Sequence, residues 1–190
     1  MRLWPIAILM LTLPWDASAA RVAGIDLAER TTVGACHLVL NGAGLRKRMF
    51  FKLYVVGLYV TEKRQSPVDL LSLAGPKRIS ITLLRTVPAL ELVDALRDGV
   101  RRNSSPGEYE TVKGRLEELA AKMLPLLEGT KGDVVTFDWL PEAGTRVGVN
   151  GVERSGTIAG ADVYAALLKV WLGEDPASGA LKKSLLGLAK

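Results

Sequence analysis

Few side chains in this sequence could run chemistry at neutral pH, and the most suggestive of them are arginines. The chain holds one cysteine, Cys36, and one histidine, His37. They are neighbours in VGACHLVL, a strand-like run in which adjacent side chains point to opposite faces, so they cannot easily share a metal ion. A buried, inert thiol is the expectation for Cys36. One residue of each kind excludes a thiolate- or histidine-rich metal site and argues against a Cys/His nucleophilic pair. No G-x-S-x-G elbow, phosphate-binding loop or HExxH helix is present. The adjacent acids Glu117-Glu118 and Glu174-Asp175 fit a helix surface and a turn. No cofactor and no confident catalytic residue follow from this inventory.

What remains is arginine at the ends of apolar rows. Arg46 lies in LNGAGLRKRMFFKLYVVGLY, residues 40–59, where a glycine-rich stretch leads into Phe, Tyr and Val. Arg85 closes a second row after Ile79, Ile81 and Leu83. A guanidinium keeps its charge, so burying one is costly unless an anion or several acceptors meet it. At the rim of an apolar cleft, Arg46 and Arg85 would suit the carboxylate or phenolate head of an amphipathic ligand, which they can grip bidentately. Without such a cleft, both would reach solvent or pair with Asp and Glu.

The elements that must position these groups are legible in outline. Short strands broken at Gly24 and Gly34 fill Val22 to Leu40, and Asn41-Gly42-Ala43-Gly44 reads as a tight hairpin turn. A long strand, about Lys47 to Thr61, alternates Phe51, Leu53, Val55, Gly57 and Tyr59 against Phe50, Lys52, Tyr54, Val56, Leu58 and Val60. Both faces are mostly apolar, so cover on two sides is expected. Lys77 to Val87 gives another strand. Pro88 suits the start of a helix striped by Leu92/Val93, Leu96 and Val100, and Ser105, Pro106 and Glu108 form a capping box for the next. Strands then return at 133–140, 145–150 and 152–158, followed by a helix at 161–172 and a short one at about 181–188. Strands, two helices, strands, helices is an α+β order, with helices packed on an antiparallel sheet.

Residues 1–19 have the layout of a secretory signal peptide: Arg2, an apolar stretch from Leu3 to Trp15, and Ala17-Ser18-Ala19. The apolar stretch is short of the ~20 residues of a spanning helix. Cleavage before Ala20 would release one domain, 20–190, to the periplasm or medium, the alternative being an uncleaved interfacial anchor. Lone Cys36 leaves no internal disulfide, so stability rests on packing. The net charge of +5 is spread among acids, which argues against a nucleic-acid partner and licenses only a mild attraction to anionic headgroups or ligands.

The stretch Asn41 to Val60 resembles the chalcone isomerase family, in which a Gly-Ala-Gly-x-Arg turn leads into a long strand. The chain is most similar to its bacterial, exported branch. Further matches are Gly75 to Arg85, the Asp-x-Leu-Pro hairpin, Val149 to Glu153, Ile158 to Asp162 and Val170 to Gly173. The resemblance implies an open-faced β-sandwich, a large antiparallel sheet covered by a layer of helices with a cleft between. In plant isomerases that cleft closes a chalcone to a flavanone, and Arg46 matches the arginine that holds the phenolate. The strand threonine is replaced by Tyr54, while the helix tyrosine and asparagine fall at Leu92 and Gly99 on an ungapped count. That removes most of the preorganised stabilisation of the enolate. In related plant fatty-acid-binding members an arginine and a tyrosine hold a carboxylate. The expectation is thus an exported, non-catalytic protein binding a fatty-acid-like anion. Arg46 and Tyr54 would hold the head, Arg85 would sit at the rim, and Phe51, Leu53, Val55, Leu83 and helical leucines such as Leu92 would surround the tail. A true isomerase, or a periplasmic interaction protein with no small ligand, are the alternatives.

Overall fold

The computed structural model describes residues 19–125 and 129–189, so the expected signal segment, Ala19 apart, lies outside the described residues. The chain begins with a two-stranded ribbon, β1 (Ala19–Val22) and β2 (Ile25–Ala28). Seven further strands form one antiparallel sheet in chain order: β3 (Arg30–Val33), β4 (Cys36–Arg48), β5 (Phe51–Val60), β6 (Lys77–Leu83), β7 (Val134–Leu140), β8 (Gly144–Val149) and β9 (Val152–Ile158). The helices are α1 (Pro67–Ser72), α2 (Ala89–Arg102), α3 (Pro106–Met123), α4 (Ala161–Leu172) and α5 (Gly179–Leu185). This is the expected α+β architecture of a large antiparallel sheet with helices on it.

Alternation along β5 divides the core in two. Val56, Leu58 and Val60 pack with Ile79, Ile81 and Leu83 of β6 beneath Leu96, Leu119, Leu167 and Trp171 of the helices. Val55 and Tyr59 turn the other way, into a smaller cluster with Leu27, Leu38 and Leu40 that the β1–β2 ribbon covers. Both faces of β5 are therefore buried, which is why both are apolar. The ribbon lies so close that a Cβ at Gly57 would stand 2.7 Å from Leu27 Cδ2. The helix boundaries follow from local chemistry: Ser105 and Glu108 cap α3 reciprocally, and Asn103 ends α2 by donating to the Gly99 carbonyl.

The glycine-rich stretch departs from expectation. Asn41 to Gly44 is not a turn but the middle of β4, and the hairpin turns instead at Met49–Phe50, so β5 starts at Phe51 rather than Lys47. Its glycines serve packing. A Cβ on Gly42 would stand 2.2 Å from the Ser184 carbonyl oxygen, and one on Gly44 2.7 Å from Leu181 Cδ1. Asn41 sits at a register irregularity and is locked there: its amide donates to the Leu185 and Arg64 carbonyls, and its oxygen accepts from the Arg64 amide. Helix α5 can press onto β4 only because these side chains are absent or bonded. One smaller correction concerns Cys36, which opens β4 and is exposed rather than buried. Ser66 caps α1, whose first residue is Pro67.

Replacing Gly42 with Ala should destabilise the fold by about 1–3 kcal/mol, since the clash is with backbone that cannot rotate away. Chemical denaturation measures it, and unchanged stability would show that α5 does not depend on this contact.

Candidate functional site

A cleft of about 780 Å³ opens between the end of β4–β6 and helices α2 and α4, within the range of small-molecule sites. The register of the sheet builds its polar end. Arg46 of β4 lies directly opposite Tyr54 of β5, and Tyr54 directly opposite Leu83 of β6, so the three form one row across the sheet on the helix-facing side. A bulge between Arg46 and Lys47 interrupts the ladder just there. Arg46 Nη1 donates to the Lys47 carbonyl at 2.6 Å, and no described carboxylate forms an ion pair with it. By contrast, Arg78, on the opposite face, donates to Asp138 through two 2.6 Å bonds and to the Thr31 hydroxyl at 3.0 Å.

Tyr54 is half-buried under α4, where the Trp171 indole donates to its oxygen at 3.4 Å. Burial raises its pKa, outweighing the opposing pull of the Trp171 bond and of the nearby Arg46 charge. The site thus pairs a permanent cation with a phenol that stays neutral. Behind them the cleft is apolar: Ile81 and Phe137 form its floor, and Leu92, Leu96 and Val170 its helical wall.

Arg46, Tyr54, Arg85, Phe51, Leu83 and Leu92 all line this cleft. They do so at different depths. Leu83 is buried and Leu92 half-buried, whereas Phe51 and Arg85 stand exposed at the rim, the Arg85 guanidinium 5.0 Å from the Phe51 ring centre. Leu53 also reaches the cleft. Val55 does not: it lies fully buried in the cluster on the ribbon side. At Gly99 a Cβ would stand 2.8 Å from Val170 Cγ1, so that position serves the packing of α2 on α4.

One feature escaped the sequence reading. Glu91, Asp94 and Asp98 of α2 line the other edge of the cleft, Asp94 and Asp98 each accepting from an arginine three residues onward. Their spacing of three and four residues places them on one helical face, a signal available from sequence but indistinguishable from an ordinary solvated stripe. Among the described residues, no group of three or more His, Cys, Asp or Glu side chains could hold a metal ion.

A family model described as chalcone isomerase-like matches residues 19–187. The fold is similar to the crystal structure of a fatty-acid binding protein from Arabidopsis thaliana. The TM-score is 0.62 at 13% identity, covering 86% of this chain and 92% of that one. No curated protein matches the sequence.

Tyr54, Tyr59 and Tyr164 all have their pKa raised by burial. The folded chain holds these protons more tightly than the unfolded chain does, so stability should be full below the ordinary phenol value of about 10 and fall as pH rises past it. Denaturation midpoints across alkaline pH measure this. The decline should be shallower in Tyr54→Phe, and an identical slope would contradict the burial of that phenol.

Proposed function

The chain belongs to the chalcone isomerase-like family, and on that premise we propose that it is an exported, non-catalytic protein that binds an amphipathic anion of the fatty-acid class. The observation that carries this reading is Arg46: a guanidinium without a described carboxylate partner, beside a neutral phenol, at the open end of an apolar cleft. The carboxylate would lie against Arg46 with the Tyr54 hydroxyl as a second donor, a charge-assisted arrangement stronger than bonds between neutral groups. The acyl chain would run inward between Leu83 and Leu92 toward Phe137. Arg85, held over Phe51, would add a second positive charge at the entrance.

The likeness to a plant fatty-acid binding protein supports this reading through the fold only, since identity is 13%. Cyclisation of a chalcone-like substrate finds less support. The positions matched to the family's helix tyrosine and asparagine carry Leu92 and Gly99, and neither offers a side-chain donor to a developing enolate.

Titration with palmitate, followed by calorimetry or displacement of a fluorescent fatty acid, tests the proposal. Arg46→Ala should weaken binding by roughly tenfold to a hundredfold, the range expected for a hydrogen bond to a charged group, and should erase the preference for the free acid over its methyl ester. Equal affinity of both proteins for palmitate, or no affinity in either, would overturn it.

A further inference from the structure

The hairpin that carries Arg46 ends in an unusual tip. Arg48 pairs with Phe51, leaving Met49 and Phe50 as a two-residue turn. Such turns favour glycine and asparagine, because positive φ is needed. Here Met49 itself takes φ +53°, in the left-handed region that side chains disfavour. Neither apolar side chain is packed: Met49 is 82% and Phe50 92% exposed, with Phe51 at 59% beside them. The turn thus departs from backbone preference and displays its most apolar residues to water.

The base of the tip is cationic. Arg46, Lys47, Arg48 and Lys52 flank it, Arg85 leans over Phe51, and none of the five takes part in a described ion pair. No acid occurs between Asn41 and Thr61. Elsewhere in the fold Arg97, Arg101, Arg102 and Arg115 all meet carboxylates. The acidic edge of the cleft, Glu91, Asp94 and Asp98, belongs to α2 across the opening, so charge is segregated around the mouth.

We propose that the β4–β5 hairpin is a membrane-docking finger: Met49 and Phe50 enter the headgroup boundary of an anionic bilayer while Lys47, Arg48 and Lys52 contact its phosphates. The geometry favours lipid over a protein partner. A convex two-residue tip falls far short of the ~800 Å² per side that a stable protein interface buries, whereas a bilayer rewards each inserted apolar side chain and each adjacent cation separately. Because Met49 and Arg48 also line the cleft, docking brings its mouth to the lipid surface. The proposal stands without a fatty acid in the cleft.

Flotation of the purified protein with vesicles of phosphatidylcholine, with and without phosphatidylglycerol, tests it. The protein should float with the anionic vesicles and far less with the neutral ones. Phe50→Asp should weaken partition by about tenfold or more, and Lys47→Ser with Lys52→Ser by roughly fivefold per charge removed. A tryptophan placed by Phe50→Trp should be quenched by brominated acyl chains. In vesicle-free palmitate titration Phe50→Asp should match the parent, so that lost flotation cannot reflect a lost fold or cleft. Failure of the parent to float with anionic vesicles, or parental flotation of Phe50→Asp, would overturn the docking proposal. Absence of palmitate binding in a protein that floats would sink the cleft reading instead.

Discussion

The register between β4 and β5 is the constraint on which the other features depend. With Arg48 opposite Phe51 and Arg46 opposite Tyr54, the cation and the phenol fall on the helix-facing side of the sheet, and Val55 and Tyr59 fall on the ribbon side. Because side chains alternate with a period of two, a slip of one residue would turn Tyr54 away from Trp171 and send Val55 into the cleft. Three features hold the register. Asn41 is bonded to α5 and to the Arg64 backbone, Gly42 and Gly44 admit α5 at contact distance, and Gly57 admits Leu27 from the opposite face. Packing far from the cleft thus decides which residues reach it.

The same register explains how the molecule distributes its arginines. Arg78 lies on the far side of the sheet, where it donates to both carboxylate oxygens of Asp138 on the adjacent strand and to the Thr31 hydroxyl, and there it acts as a cross-strand tie. Arg46 faces a phenol that burial keeps neutral and a wall of leucine, valine and tryptophan. The first guanidinium is satisfied within the fold. The second keeps most of its donors free at the head of an apolar space, which is the arrangement an amphipathic anion fits.

Much of this was legible in the sequence. Helices α2 and α3 announced themselves by their opening residues and apolar stripes, the later strands by tight turns, and the family by motifs spread along the chain. The errors have a common cause in tertiary packing that local rules do not see. Asn41-Gly42-Ala43-Gly44 has the composition of a turn, yet its glycines answer to α5, more than 130 residues later. Conversely, Met49-Phe50 has no turn composition and is the turn. Which face of β5 meets the helices could not be read because both are buried, and that one ambiguity placed Val55 in the cleft by expectation. Arg46 and Leu83 drew notice from the arginine-ended apolar rows and Tyr54 and Leu92 from the family resemblance, and all four line the cleft. The acidic edge at Glu91, Asp94 and Asp98 was passed over because its spacing is that of an ordinary solvated helix face.

The central claim is that Arg46 holds a carboxylate. The most direct measurement is the carbon-13 resonance of carboxyl-labelled palmitate bound to the protein, followed through acidic pH. In the parent protein the bound carboxyl should stay ionised well below the pH at which a free fatty acid takes up its proton, and in Arg46→Ala that protection should be lost. Identical titration of the bound carboxyl in the two proteins would contradict the account.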